Sequence, residues 1–380
     1  MNDFELHAHL IGAKDSRYRL NTPALIIDRE ALDRNIERMA AFAREAGLQL
    51  RPHTKTHKSV DIARRQIGAG AVGLCCAKLG EAEVLAEADL TGLHITSPVV
   101  SASGIARLIA LAARVPDITV VADNPDNVLD LARAAEDGGV RLHIIIDIDP
   151  GSHRTGVTSA GAAVTLAAAI RAVPSLYYAG VQFYCGPEQH IEGFAARTAA
   201  VIERANYLRA VIEELTQADA TPAVVTGGGT GTHRIDAALG LFTELQVGSY
   251  IFMDEQYLAC EPGEPGTAAY DTALFIDTRV VSANTAGMVT VDGGLKAFAS
   301  DAGAPAVVSG APAGSSFRFM GDEHGAITFP HGTPPPKLGD VITLTAPHCD
   351  PTVNLYDTYH VVEGNVLKAL WPVSARGCCR

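Results

Sequence analysis

Apolar residues in this chain follow two rhythms, and the change from one to the other divides it in two. Through roughly the first two thirds, short apolar runs alternate with segments whose apolar residues recur every three or four positions. The runs predict strands over 48–52, 72–76, 93–97, 118–122, 141–147, 177–183, 223–226 and 244–247, and the segments between them predict helices such as 124–136 and 192–215. A run as apolar as Leu142-His143-Ile144-Ile145-Ile146 suits a parallel strand covered on both faces. Eight strand-helix units are the signature of a (β/α)8 barrel, whose active site lies at the carboxyl ends of its strands.

Two stretches fall outside that count. Pro23 to Ile27 predicts a strand, and Asp28 caps an amphipathic helix that Gly47 stops. After the Pro/Gly-rich Cys260-Glu261-Pro262-Gly263-Glu264-Pro265-Gly266, apolar residues alternate in period two, with turns at 284–287, 292–294, 334–336 and 363–365. That pattern predicts an antiparallel β domain. The expected organisation is a barrel over 28–260 and a β domain over 261–380, with the leftover strand in the N-terminal segment 1–27 pairing with the β domain.

Composition narrows the function classes. Hydrophobic residues make up 47% of 380, enough for two cores, while the net charge of −13 argues against nucleic acid or an anionic membrane as partner. No apolar run reaches the length of a spanning helix, and Met1-Asn2-Asp3 does not open a signal peptide, so a cytoplasmic protein is expected. Seven cysteines, an odd number that includes the neighbours Cys75-Cys76 and Cys378-Cys379, read as reduced thiols.

The chemistry is concentrated in the predicted loops. In Arg51-Pro52-His53-Thr54-Lys55-Thr56-His57-Lys58, Pro52 ends the first barrel strand and leaves Lys55 on a strand-to-helix loop. Two histidines and the cations Arg51 and Lys58 would help Lys55 lose its proton and act as a nucleophile toward carbonyls; a solvated basic turn is the plain alternative. After the seventh strand comes Gly227-Gly228-Gly229-Thr230-Gly231-Thr232, and after the eighth Gly248-Ser249-Tyr250. Barrels commonly hold phosphate at these two loops, although a glycine run alone also serves as a tight turn. A lysine at strand one and a phosphate cradle at strands seven and eight suggest pyridoxal phosphate held as a Schiff base. Arg154 could hold the cofactor's phenolate oxygen or form a surface ion pair with Asp147 or Asp149, and Gln182 and Tyr184 add polar groups at the same face.

Two metal readings remain. His348 and Asp350, read as i and i+2 of an extended segment, would share a face while Cys349 points away. One nitrogen and one hard oxygen suit Mn²⁺, Co²⁺ or Mg²⁺ better than Zn²⁺, and a Pro-bounded turn with His348 bonded to backbone is the alternative. His7-Ala8-His9 has the spacing of a two-histidine site but precedes the barrel strands.

Together these residues resemble the metal-activated pyridoxal-phosphate enzymes of alanine-racemase-like fold, which include D-serine dehydratases, D-threonine aldolases and D-3-hydroxyaspartate aldolases. The likeness runs from about residue 20 to 370 and is nearest to the D-threo-3-hydroxyaspartate dehydratases. It implies that Lys55 carries the cofactor, that His348 and Asp350 bind the metal, and that the chain forms a homodimer. Asp350 departs from the zinc-binding dehydratase pattern. The expected reaction is dehydration of a D-3-hydroxy amino acid, most of all D-threo-3-hydroxyaspartate, to a keto acid and ammonia. Aldol cleavage to glycine and an aldehyde is the alternative, since it needs the same lysine and metal. His190, His233 and Arg234 are the available donors for a β-carboxylate. A non-catalytic cofactor carrier would lack the metal pair, a racemase would need a second base, and a metal hydrolase on His7 and His9 would make Lys55 unnecessary.

Overall fold

The structure, a computed structural model, describes Met1–Arg380. It divides into two compact units: a barrel unit of Arg38–Gly248, Cys260–Ala268 and Gly377–Arg380, and a β unit of Met1–Glu37, Ser249–Ala259 and Ala269–Arg376. The first strand, β1 (Ala24–Asp28), lies in the β unit.

The barrel unit holds β2 (Gln49–Leu50), β3 (Leu74–Cys76), β4 (Leu93–Ile95), β5 (Thr119–Ala122), β6 (Leu142–Ile148), β7 (Leu176–Phe183), β8 (Val224–Gly227) and β9 (Glu244–Leu245). Their order is β2-β9-β8-β7-β6-β5-β4-β3, with every pair parallel. The ring is joined between β2 and β3 by Val72 N–H on Leu50 O at 2.8 Å and Cys75 N–H on Pro52 O at 2.9 Å. Helices follow the strands because their starts are capped: the side chains of Ser101, Asn124 and Ser159 each accept a backbone N–H of the first turn. Such a cap is worth about 1 kcal/mol. The apolar faces of these helices bury against the outside of the strands, for example Leu108, Leu131 and Leu166 over Ile95, Val120 and Ile144.

In the β unit the remaining strands are β10 (Leu274–Thr285), β11 (Met288–Val291), β12 (Val307–Ser309), β13 (Ser316–Phe319), β14 (Gly325–Thr328), β15 (Val341–Thr345), β16 (Thr358–Glu363) and β17 (Val366–Pro372). The order β13-β14-β11-β10-β1-β16-β17 is antiparallel except at one place, where β1 pairs parallel with β16 (Ile26 opposite His360). On its other side β1 pairs antiparallel with β10, Ala24 opposite Asp277. Leu10, Leu20, Ala24 and Ile26 share a core cluster with Val362, Leu367 and Leu370, so residues from both ends of the sequence build one core. All cysteines are unbridged, and no helix is long and apolar enough to cross a membrane.

Candidate active site

Strand β2 gives way to a 3-10 turn, Thr54–Thr56, that presents Lys55. The turn is pinned on both sides: Thr54 Oγ1 donates to Cys75 O at 2.8 Å and Lys58 N–H to Thr54 O at 2.7 Å. The cations and histidines expected to press on the Lys55 proton each have a partner of their own. Arg51 is paired with Glu244 at 3.0 Å, and Lys58 with the buried Glu81. His53 Nδ1 accepts the Lys55 N–H at 3.4 Å, and His57 Nδ1 accepts the Ser59 N–H at 3.0 Å.

Lys55, Tyr184 and Arg154 are brought together. The Lys55 Nζ lies 5.9 Å from the Tyr184 ring centroid, and the Arg154 guanidinium carbon lies 5.2 Å from the same centroid. Arg154 is held on its loop by its neighbour Thr155, whose hydroxyl donates to Asp147 Oδ2 at 2.7 Å. Gln182 is different. Its amide nitrogen donates to Asp147 Oδ1 at 2.9 Å and Thr96 O at 3.3 Å, while its oxygen accepts from His94 Nε2 at 3.0 Å and Gln246 Nε2 at 3.1 Å. With four partners the amide is saturated, so Gln182 organises the polar barrel interior and has no donor left for a ligand. Burial pulls His94 in this network down to about 4.

Behind the seventh and eighth strands lie the glycine loops. Gly228, Gly229 and Thr230 are buried, and Gln189 and Asp236 pack against the loop. Gly248 packs on the wholly buried Thr56, whose hydroxyl has no hydrogen-bond partner; a Cβ at Gly248 would come within 2.7 Å of it. His233 is no cation for a substrate carboxylate. It is buried, its ring stacks edge-on against Phe42 at 4.9 Å and donates from Nδ1 to Thr230 O at 2.8 Å, and burial lowers it to about 4.

In the β unit, the segment carrying His348 and Asp350 is not extended. His348 is the N-cap of a short helix, Cys349–Val353, and Asp350 sits in its first turn. Period-two reasoning therefore does not apply, and the Cys349 thiol lies 3.4 Å from Asp350 Oδ1 rather than facing away from it. The helix is anchored by Asp254, whose Oδ2 accepts the Cys349 N–H at 2.8 Å and whose Oδ1 accepts the Tyr257 N–H at 3.0 Å. Ser249 hydrogen-bonds the Cys349 thiol, and Tyr250 is buried edge-on against Tyr270 at 5.8 Å. His348 Nδ1 lies 2.7 Å from Asp301 Oδ2. An N–H given to a carboxylate fixes the tautomer with its lone pair on Nε2, the arrangement that metal-binding histidines adopt.

His7 and His9 form no pair, for His9 is exposed. Asp3, His7 and His360 do cluster, with ligand atoms within 4.8 Å of one another. Hydrogen bonds already assign the ring nitrogens there: Asn21 N–H donates to His7 Nε2 at 3.0 Å, His360 Nδ1 donates to Leu25 O at 3.2 Å, and His7 Nδ1 gives its proton to His360 Nε2 at 2.8 Å. A metal would have to displace that last proton, so the cluster reads as a neutral structural pair.

Comparison with known proteins places this geometry. The profile described as "Alanine racemase, N-terminal domain" matches residues 27–256, and a serine dehydratase domain matches 273–362. The chain belongs to the alanine-racemase-like family of pyridoxal-phosphate enzymes. It is 36% identical over 366 residues to a D-threonine aldolase of Arthrobacter sp., covering 96% of this chain and 95% of that one. To a 3-hydroxy-D-aspartate aldolase of Paracoccus denitrificans it is 37% identical over 362 residues, covering 94% and 92%. A D-threo-3-hydroxyaspartate dehydratase of Delftia sp. is 29% identical over 301 residues, 76% of each chain. Among solved structures, a D-threonine aldolase from Filomicrobium marinum superposes with a TM-score of 0.92 at 34% identity, covering 96% of this chain and 98% of that one. The barrel-side residues fit this family's cofactor: two cations flank one tyrosine ring, a glycine loop is buried, and an unpartnered hydroxyl lies beside a second glycine.

The sequence pointed to Lys55, Arg154, Tyr184 and the glycine loops, but missed Gln189, Asp236 and Asp301. Gln189 and Asp301 act on residues more than 40 positions away, Gly231 and His348, and no local pattern announces such partners; Asp236 is close in sequence to its partners Thr232 and Gly229 but looks like an ordinary helix aspartate.

Proposed function

We propose that this protein is a metal-activated lyase of D-3-hydroxy amino acids that cleaves the Cα–Cβ bond, giving glycine and an aldehyde. One observation carries the reading of the reaction: likeness to aldolases extends over 94% or more of the chain at 36–37% identity, against 76% at 29% for the dehydratase. This revises the expectation of dehydration as the main reaction.

Lys55 would carry the cofactor, with Arg154, Tyr184, Gly228, Gly229, Thr230, Gly231 and Gly248 around it and Ser249 and Tyr250 following directly in the chain. Pyridoxal phosphate, when bound, supplies a sink for the electron pair that develops at the substrate's α carbon. His348 and Asp350 would hold a divalent ion of the Mn²⁺, Co²⁺ or Mg²⁺ kind, a Lewis acid suited to a β-hydroxyl oxygen. In the cleavage the β-hydroxyl loses its proton, the Cα–Cβ electrons pass to the α carbon, and that carbon takes up a proton. The Lys55 amine, when not bonded to the cofactor, would move protons at the substrate's α carbon. Arg154, always charged, serves to fix an anionic oxygen. The chain would act as a homodimer, as its resemblance to this family implies.

Incubation with D-threonine and with D-3-hydroxyaspartate, assaying glycine, aldehyde, ammonia and keto acid together, tests the reaction. Equimolar glycine and aldehyde is the expected result. Ammonia and keto acid without glycine would overturn it in favour of dehydration. Borohydride reduction followed by peptide mapping tests the site; a label on Lys58 or Lys78 instead of Lys55 would sink the assignment.

A further inference from the structure

The glycine loop after β8 is braced from behind by three buried side chains that the proposed chemistry does not use. Gln189 lies in the 3-10 turn Pro187–His190 that follows β7. Its Oε1 accepts the Gly231 N–H at 3.0 Å, and its Nε2 donates to Cys185 O at 3.1 Å and to Thr232 Oγ1 at 2.8 Å. The Thr232 hydroxyl donates in turn to Asp236 Oδ2 at 2.5 Å, and the Gly229 N–H donates to the same carboxyl. Exposures of 0%, 1% and 4% for Gln189, Thr232 and Asp236 mean that water cannot replace these bonds. The donor count leaves no slack: the single Thr232 proton goes to Asp236, and its lone pairs take the Gln189 N–H.

The glycines are where this brace touches the loop. A Cβ on Gly229 would stand 2.5 Å from Gln189 Oε1, one on Gly228 2.6 Å from Asp236 Oδ2, and one on Gly231 2.0 Å from Gln189 O. Glycine here thus answers to the brace behind the loop, whatever binds in front. A carboxylate so placed would ordinarily oppose an anion. Burial, however, raises Asp236 to about 7, and no charged side chain pairs with it; its titratable neighbour, the Cys185 thiol, is itself pushed up by burial. Near neutrality the carboxyl carries its charge only part of the time.

We propose that Gln189, Thr232 and Asp236 are positioning residues that hold residues 228–231 in the shape that receives the cofactor's phosphate. This rests on the cofactor reading above. The full-length chain, freed of cofactor, is titrated with pyridoxal phosphate and, separately, with pyridoxal; the quantity read is the ratio of the two dissociation constants. The wild type should prefer the phosphorylated form. Gln189→Met and Thr232→Val should each lower that preference about tenfold, the order expected for one buried hydrogen bond, while pyridoxal binding stays unchanged. Thr232→Ser keeps the hydroxyl and should keep the preference, which guards against misfolding in the valine variant. Retained preference in Gln189→Met and Thr232→Val overturns the brace, as does equal loss of both ligands. A wild type with no preference overturns instead the assignment of this loop to phosphate.

Discussion

At the scale of single residues, the β unit makes the sharpest claim. His348 has its Nδ1 committed to Asp301, an exposed aspartate 47 positions earlier, and so offers Nε2 in a fixed orientation. Removing such a partner leaves the ligand in place but frees its ring to turn and to change tautomer. Asp301→Ala should weaken divalent-ion affinity about 10- to 100-fold, measured by titration with Mn²⁺, with the melting temperature little changed. His348→Ala and Asp350→Ala should abolish ion binding. An Asp301→Ala variant with wild-type affinity would show that the contact is an ordinary surface pair. The sequence singled out His348 and Asp350 by their chemistry but misread their backbone as extended, because Pro347 and Pro351 on either side of the pair argue against a helix. Proline is tolerated in the first turn of a helix, where its missing N–H has no partner to lose, and here Pro351 sits within the helix Cys349–Val353.

At the scale of elements, the eight barrel strands were legible because parallel strands covered on both faces read as plain apolar runs, as β6 does. What periodicity could not reveal is how the Lys55 turn is held to the element beside it. Lys58 adopts a φ of +50° and reaches Glu81 in the helix Leu79–Glu87; the two side chains are 6% and 3% exposed. Glu81 Oε2 also accepts the Ala77 N–H at 2.7 Å, so this carboxylate ties the end of β3 to the Lys55 loop. Desolvating both charges makes the pair weak as a net stabiliser, but removing one partner strands the other. Lys58→Met should cost about 3–5 kcal/mol in urea unfolding, and Lys58→Met with Glu81→Leu should recover most of that. A double variant whose cost equals the sum of those of Lys58→Met and Glu81→Leu measured singly would mean that the pair is not coupled.

For the molecule as a whole, buried histidines work against stability in acid. Burial lowers His94 and His233 in the barrel unit, and His360 in the β unit, to about 4. Unfolded, each would titrate near the ordinary value of about 6.5, so between those values the unfolded chain binds protons that the folded chain refuses. The sign follows: stability from these groups is full above about pH 6.5 and is lost as the pH falls toward 4. Asp236 slopes the other way, since a carboxyl raised to about 7 favours the folded state most in acid and loses that contribution as the pH rises. The raw pH profile therefore mixes opposing slopes, and a difference between two proteins separates them. His94→Gln keeps a side chain able to donate to Gln182 but cannot be protonated. Whatever the substitution costs at pH 8, wild type should lose about 3 kcal/mol more than the variant between pH 6.5 and 4, because only wild type takes up that proton on unfolding. Urea unfolding of both chains at several pH values measures the difference. Parallel curves would mean that His94 is already protonated in the fold, and that its Nδ1 donates to the Thr119 hydroxyl, 2.7 Å away, instead of accepting from it.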